Sequence, residues 1–162
     1  HRVDEALAMV GIEHLRERVP HHLSGGEKKR VAIAGVIAME PQVIVLDEPT
    51  AGLDPKGVKD LIGVINALAR EYGITVIFST HDVSLVPEVA DHLYVMHRGS
   101  IVAEGRVSDV FADLELLSSV RLDVPVIPKL IRQLREEGLD IAMAYTLDEA
   151  KAAFLKTYRE RA

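Results

Sequence analysis

Hydrophobic positions along the chain follow two different spacings, and the helical spacing appears first. Between residues 3 and 10, apolar residues recur at i, i+3, i+4 and i+7, which predicts a short helix. A second helix is predicted over about 25–39, because Pro41 cannot continue it. Asp54-Pro55 is an N-cap followed by proline at the first helical position, and it predicts a third helix that stops at Gly73.

Short apolar runs between these helices predict strands. Residues 43–46 are all apolar, and residues 74–78 are apolar except for Thr75; neither segment alternates, a pattern typical of strands buried on both faces in a parallel sheet. Residues 93–97 and 101–104 predict a β-hairpin. Strand, helix, strand, helix and hairpin follow one another over residues 41–104, which predicts an α/β fold with parallel pairing and an antiparallel edge.

The pattern changes near Asp113 and becomes predominantly helical. A helix near 127–137 is predicted to end at Gly138. Thr146 with Glu149 three residues later matches a capping box, which predicts the start of a last helix.

Composition narrows the functional class. Apolar residues make up 48% of the 162 residues, charged residues 27%, and the net charge is −6. An acidic chain is poorly suited to non-specific nucleic-acid binding, which depends on Lys and Arg, although local backbone amides can still hold a phosphate. The absence of cysteine excludes disulfides and thiolate metal sites and fits a reducing compartment.

Neither a membrane-spanning run nor a signal-peptide pattern is found in the sequence. No apolar run approaches the roughly 20 residues that a membrane helix needs. His1-Arg2-Val3 contains neither an initiator methionine nor a signal-peptide core, so we expect the chain to be part of a longer protein. Seven histidines are present, but none forms an i, i+4 pair on a clear helix, and we expect no histidine metal site.

Polar residues follow both predicted parallel strands. Asp47 and Glu48 come directly after residues 43–46, and His81 comes soon after residues 74–78. Ligands of open parallel sheets bind outside the carboxyl ends of the strands. Two acids at such an end fit a Mg²⁺ ion placed by one carboxylate and a water activated by the other. Taken alone, the acids also fit a solvated turn, and a single histidine also fits a structural or surface role.

Leu23-Ser24-Gly25-Gly26-Glu27 is the most specific feature of the sequence. Ser24 can cap the helix that follows, and Gly25 and Gly26 leave backbone N–H groups uncovered. A helix N-terminus with bare amides attracts phosphate through its unpaired donors and its dipole. Taken alone, the segment also fits a simple loop before a helix.

In their order along the chain, four motifs resemble the second half of an ABC-type ATPase. They are Leu-Ser-Gly-Gly-Glu at 23–27, Val-Ile-Val-Leu-Asp-Glu-Pro-Thr at 43–50, Ala-Gly-Leu-Asp at 51–54 and Ser-Thr-His-Asp at 79–82. The resemblance implies a P-loop NTPase fold of the RecA-like ABC type, of which this chain holds an incomplete parallel-sheet portion. Glu27 stands where this family usually has glutamine, a common variant.

The resemblance also implies roles for individual residues. Residues 24–27, which are Ser24, Gly25, Gly26 and Glu27, would contact the γ-phosphate of ATP bound to the opposite subunit, and Asp54 belongs to the loop that communicates across that dimer. Asp47 would help to place Mg²⁺. Glu48 would be the general base that polarises the attacking water, and His81 would contact the γ-phosphate.

The tail refines the resemblance to energy-coupling-factor ATPases of the cobalt/nickel importer type. It rests on Val124-Pro125, the helix near 127–137 and residues 146–150; a generic helical appendage is the alternative. The implied division is 1–26 as the end of a helical subdomain with the signature motif, 27–112 as the C-terminal part of the α/β core, and 113–162 as an α-rich extension for dimerisation or regulation.

The implied function is that of an ATP-binding and ATP-hydrolysing subunit that energises a membrane importer, with cobalt or nickel as cargo. ATP and Mg²⁺ are the implied cofactors, and a second ATPase subunit and membrane transport subunits are the implied partners, with no nucleic acid. The implied location is peripheral, at the cytoplasmic face of the cell membrane. Alternatives are an importer of another small solute or vitamin, a chromosome-maintenance ATPase of the DNA-repair type, a soluble two-cassette ABC protein, and a non-catalytic fragment that dimerises through its tail.

One motif of the family does not occur in the 162 residues. The phosphate-cradling pattern is Gly, four residues, then Gly-Lys-Ser/Thr, and Gly26-Glu27-Lys28-Lys29 has neither its spacing nor its hydroxyl. We therefore expect the chain by itself to bind ATP weakly or not at all. The intact enzyme is expected to act as a head-to-tail dimer, because the signature of one subunit completes the site of the other.

Overall fold

The computed structural model describes residues 1–123 and 125–161 in two compact units. His1–His81 form the first unit and Asp82–Ala162 the second. Val124, on which part of the tail resemblance rests, lies outside the described residues. The three-part division inferred from the motifs stays a prediction, since the two units divide the chain after His81 and reflect contacts rather than motifs.

The first unit contains three α-helices and a pair of parallel strands. Strands β1 and β2 pair in parallel with Val43 opposite Thr75 and Leu46 opposite Phe78, so their carboxyl ends are level. The elements in chain order are α1 (Arg2–Met9), short 3₁₀ turns at Glu13–Leu15 and Pro20–His22, α2 (Gly25–Ile37), β1 (Val43–Leu46), α3 (Pro55–Arg70) and β2 (Thr75–Phe78).

Helix α3 shows how local sequence sets these elements. Asp54 Oδ1 accepts a hydrogen bond from the Gly57 N–H at 2.7 Å, which satisfies one of the free donors at the start of the helix. A Cβ at position 57 would lie 2.9 Å from that oxygen, so the cap requires the close approach that glycine permits. Helix α3 packs against β2 and buries Leu61, Ile65 and Leu68.

The prediction that residues 43–46 are buried on both faces is wrong. Ile44 is 2% exposed, but Val45 is 73% exposed and Val43 49%. Successive strand side chains point to opposite faces of a sheet, so only one face of β1 is covered by the packing of this unit. Ile77 of β2 is also exposed, which extends the uncovered apolar face onto the neighbouring strand.

The second unit combines the hairpin with the tail. Strands β3 and β4 pair antiparallel, with Tyr94 opposite Glu104. The elements in chain order are α4 (Val86–Val89), β3 (His92–His97), β4 (Ser100–Arg106), α5 (Val107–Ala112), α6 (Leu114–Ser119), α7 (Val126–Glu136) and α8 (Leu147–Arg161).

The expectation that the hairpin forms the antiparallel edge of the parallel sheet is wrong for the strands that the structure describes. The hairpin makes a separate two-stranded sheet, and no ladder joins it to β2. Its buried side chain Val95 packs instead with Val110, Phe111 and Leu117 in a core that belongs to the second unit. Within the second unit, the hairpin therefore packs against α5 and α6.

The tail is helical, as predicted, and it contacts α5. The predicted capping box forms: the Glu149 N–H donates to Thr146 Oγ1 at 3.3 Å, and the Thr146 N–H donates to Glu149 Oε2 at 3.2 Å. The Tyr145 hydroxyl donates to the Ser108 carbonyl at 3.2 Å. Burial, followed by the charges of Asp109 and Glu149, raises the pKa of Tyr145, so the phenol stays neutral and keeps this hydrogen bond.

We expect the 162-residue chain to self-associate as its concentration rises, because an exposed apolar strand face favours intermolecular contact. Threonine is close in shape to valine, but its hydroxyl reduces the apolar surface of this face. The Val45→Thr variant should therefore have a lower average molecular mass than the parent chain at high concentration. Sedimentation over a concentration series measures this.

Val126→Thr on α7 is the matched control, because Val126 is 77% exposed and lies in the other unit. It should leave the concentration dependence unchanged. A monomeric mass at all concentrations, together with a cooperative melt, would show that the exposed face does not drive association.

Candidate functional site

The level ends of β1 and β2 bring Asp47 and Ser79 together. Leu46 pairs with Phe78, so the next residue of each strand lies at the same edge, and the Ser79 N–H donates to the Leu46 carbonyl at 2.9 Å. The Ser79 hydroxyl donates to Asp47 Oδ1 at 2.5 Å and accepts from the Glu48 N–H at 2.9 Å. One hydroxyl therefore orients both the first acid and the backbone of the second.

Glu48 has an unusual backbone that turns it toward β2. Its φ is 44°, in the left-handed region that non-glycine residues seldom adopt. The Glu48 carboxylate lies 2.8 Å from His81 Nδ1, measured from Oε1. A carboxylate can only accept a hydrogen bond, so the proton of this contact belongs to Nδ1. Asp47, Glu48 and His81, which the sequence predicted as a group, meet at this edge.

The imidazole of His81 is open to solvent, whereas Glu48 is partly covered. The side chain of His81 is 82% exposed and that of Glu48 is 35% exposed. A ligand that approaches this edge from solvent therefore reaches the histidine first, and the carboxylate lies behind it.

The start of α2 forms the second predicted group. The Glu27 N–H donates to Ser24 Oγ at 3.3 Å, and the Ser24 N–H donates to Glu27 Oε2 at 2.7 Å, which completes a capping box. The backbone N–H of Ser24, then its hydroxyl, then the positive charges of Arg18 and Arg30 lower the pKa of Glu27. Glu27 is therefore held as a carboxylate at the backbone N–H of Ser24.

Asp54 is placed differently from the other predicted residues. Its carboxylate caps α3 by accepting a hydrogen bond from the Gly57 N–H. The described hydrogen bonds of Asp54 do not include one to Glu48 or to His81. The adjacent Leu53 instead lies near the start of α2, because its Cδ2 would be 3.9 Å from a Cβ built at Gly25 or Gly26. The loop that ends at Asp54 therefore contacts the signature segment.

Sequence reasoning missed Ser79 as a site residue. In the sequence, Ser79 stands out only as the first residue of the motif at 79–82. The signal that would have identified it is the strand register, because two level parallel strands place the residues that follow them side by side. A sequence without a known register does not supply that pairing.

The residues at this edge fit Mg²⁺ only together with a ligand. Among residues 1–123 and 125–161, no group of three or more acidic or histidine side chains is placed to hold a metal ion. Mg²⁺ commonly binds through one or two carboxylates plus substrate phosphates and water rather than in an all-protein cage. Asp47, beside the Ser79 hydroxyl, is a carboxylate placed where such a site would need one.

The similar sequences all have descriptions of the same kind. A family model described as ABC transporter matches residues 1–51. The chain is 65% identical over all 162 residues to the energy-coupling factor transporter ATP-binding protein EcfA of Methanoculleus marisnigri, and spans 58% of that protein. It is 63% identical over 158 residues to EcfA1 of Methanospirillum hungatei, of which it spans 57%. The chain therefore spans little more than half the length of these curated relatives.

Solved structures agree with these sequence matches. The structure of cbiO1 from Clostridium perfringens, described as part of the ABC transporter complex cbiONQ, matches 83% of this chain and 52% of its own, at 46% identity and a TM-score of 0.66. An ATP-binding cassette of an ABC transporter in its ADP conformation matches 72% of this chain and 47% of its own, at 34% identity and a TM-score of 0.66. The predicted α/β class and P-loop NTPase fold are confirmed.

The capping box predicts a pH-dependent difference in stability. A carboxyl whose pKa is lowered by folding stabilises the folded state above its usual pKa and loses that contribution as the pH falls through the lowered value. Glu27→Gln keeps an acceptor for the Ser24 N–H but removes the charge. The variant should be less stable than the parent chain at pH 7, and the difference should shrink as the pH falls below the usual range of a glutamate carboxyl.

Urea unfolding at a series of pH values measures the difference. Glu17→Gln is the control, because Glu17 is exposed and does not belong to a capping box. Its difference in unfolding free energy from the parent chain should be smaller. A difference between the chain and Glu27→Gln that stays constant with pH would rule out the charged cap.

Proposed function

Because the chain is similar to ABC transporter ATP-binding proteins, we propose that it belongs to their family and supplies the hydrolytic edge and the signature helix of an ATP hydrolase that energises membrane import. The observation that carries the proposal is the pairing of Glu48 with His81 beside the Asp47–Ser79 hydrogen bond. These side chains lie where open parallel sheets bind their ligands.

In this proposal Glu48 activates the attacking water. Its carboxylate accepts a proton from water, whose oxygen forms a bond to the γ-phosphorus of ATP as the bond from that phosphorus to the bridging oxygen breaks, releasing ADP and phosphate. The contact with His81 holds the carboxylate in one orientation, and His81 stands on the solvent side, where the γ-phosphate would arrive. Most of the catalysis of phosphoryl transfer comes from such positioning and from charge stabilisation.

Asp47 is the residue that would help to place Mg²⁺, and Ser79 would keep its carboxylate aimed at the same edge. When bound with ATP, Mg²⁺ neutralises charge that develops on the phosphate oxygens. The hydroxyl of Ser79 also holds the backbone of Glu48, so the two acids keep a constant spacing.

The signature residues serve a different ATP molecule in this proposal. Ser24, Gly25, Gly26 and Glu27 start α2, whose N–H groups and dipole favour phosphate. They would face ATP held by a second ATPase subunit, with Asp54 in the loop that contacts that subunit. Membrane transport subunits are the remaining proposed partners. Among the described residues, no helix is both long and apolar enough to span a bilayer, and we propose a peripheral location at the cytoplasmic face.

Cobalt or nickel ions are the proposed cargo, and another small solute or a vitamin is the alternative. The similarity of the tail to cobalt/nickel importer ATPases supports the first. The energy-coupling factor names of the relatives fit both.

The chromosome-maintenance alternative is less well supported. ATPases of that class carry a long coiled coil next to the signature motif. Residues 1–23 instead hold one helix of eight residues and two short 3₁₀ turns, and the net charge of −6 disfavours binding to DNA.

Glu48→Gln is expected to lower kcat by at least about 100-fold in the complete protein that contains this chain, because it removes the general base. ATP should remain bound, and the closed dimer should accumulate. Phosphate release and size-exclusion chromatography with Mg-ATP measure the two effects. Glu71→Gln, in the cap that follows α3, is the control and should hydrolyse ATP normally. Unchanged turnover in Glu48→Gln would refute the role of the base.

The 162 residues by themselves are expected to bind Mg-ATP weakly or not at all, because they contain no Gly-x₄-Gly-Lys-Ser/Thr loop to hold the β- and γ-phosphates. Titration calorimetry measures this. Micromolar binding by the chain alone would mean that a different nucleotide site exists and would contradict the proposed division of roles.

A further inference from the structure

Lys29 links the signature helix to the segment that carries Glu48. It lies in the second turn of α2, and its side chain is half-buried. Its Nζ donates to the Pro49 carbonyl at 2.6 Å and the Ala51 carbonyl at 2.6 Å, and a longer contact of 3.4 Å reaches the Glu48 carbonyl. One ammonium group therefore contacts three backbone oxygens within four consecutive residues.

The segment that Lys29 contacts is conformationally demanding. Glu48 has a φ of 44°, and Gly52 has a φ of 74°. Two successive turns cross it: the Ala51 N–H donates to the Glu48 carbonyl at 3.1 Å, and the Leu53 N–H donates to the Thr50 carbonyl at 3.2 Å. A non-glycine residue in the left-handed region is strained and persists only where its surroundings hold it.

An ammonium group is well suited to hold such a segment. It has three donors and no acceptor, and hydrogen bonds from a charged donor are stronger than neutral ones. The carbonyls of Pro49 and Ala51 point to a common place because of the turns, and Lys29 fills it from the neighbouring helix. Removal of the donors would leave these oxygens without the cation that they share.

We propose that Lys29 is a positioning residue that keeps the Glu48 carboxylate turned toward His81 and couples it to the first turn of α2. The inference rests on the proposed function for its catalytic consequence, but not for its structural one. Ser24 and Glu27 cap helix α2, so a displacement of the signature segment is transmitted through the Lys29 side chain to the backbone that carries the general base. The two groups of the site thus respond as one unit when the signature contacts its ligand.

The neighbouring residue offers a matched control. Lys28 is on the same helix, has the same side chain and is exposed, whereas Lys29 is half-buried. Lys29→Met retains the length and apolar stem of the side chain and removes the cation and its donors, and Lys28→Met makes the same change at the exposed position. Lys29→Arg keeps a cation with N–H donors.

The structural consequence is tested by hydrogen exchange in the complete protein that contains this chain, without nucleotide. In Lys29→Met, the amides of Ala51 and Leu53 should exchange at least about 10-fold faster, while those of α3 from Leu61 to Leu68 keep their rates. Lys28→Met should change neither set. Equal acceleration in both sets would mean a general loss of stability, and no acceleration would mean that Lys29 does not hold the turns; either result would overturn the proposal.

The catalytic consequence is tested by steady-state ATP hydrolysis in the same variants. Lys29→Met should lower kcat by about 10- to 100-fold, because the base is misplaced, and should leave KM for ATP within about twofold. Lys29→Arg should recover most of the lost kcat, and Lys28→Met should match the parent protein. A normal kcat in Lys29→Met, or a loss that appears only in KM, would overturn the coupling to Glu48. Absence of ATP hydrolysis in the parent protein would instead refute the proposed function, and hydrogen exchange would still decide the role of Lys29.

Discussion

The site depends on one constraint, which is the parallel pairing of β1 and β2 in a register that leaves their carboxyl ends level. Leu46 lies opposite Phe78, so the residues that follow these two are neighbours although 32 positions separate Asp47 from Ser79. The hydroxyl of Ser79 then fixes Asp47 and the backbone of Glu48, and His81 meets the Glu48 carboxylate. A shift of one residue in this register would turn the side chains of one strand to the opposite face of the sheet. The contacts among Asp47, Ser79 and their neighbours would then be lost.

Hydrogen bonds at helix and strand ends, rather than buried ion pairs, hold the geometry of the candidate site. Among the described residues the core contains no buried polar or charged side chain. The charged groups, which are exposed or partly buried, use backbone partners: Glu27 accepts from the N–H of Ser24, Asp54 accepts from that of Gly57, and Lys29 donates to the carbonyls of the turns after β1. Such contacts avoid the cost of burying an unpaired charge.

Local motifs were predictable, because their partners lie within four residues. The caps at Ser24, Asp54 and Thr146 form as the sequence indicated, and the helices and strands that they border occur close to the predicted positions. Burial was not predictable in the same way. The uninterrupted apolar run 43–46 indicated a strand covered on both sides, yet Val45 is exposed, because burial depends on what packs against a strand and not on the strand alone. The hairpin was likewise predicted correctly, but the sheet to which it belongs was not.

By itself, the sequence determined the order of helices and strands, the caps, the acids and histidine that follow the strands, and the resemblance of four ordered motifs to one family. All of these are short-range patterns or residue identities. Only the tertiary structure decided that Ser79 joins Asp47 to Glu48, that Glu48 adopts a left-handed backbone, and that Lys29 reaches three carbonyls about twenty residues away. The physical reason is that hydrogen bonds between distant segments depend on strand register and helix packing, which arise from the sum of many weak contacts across the chain.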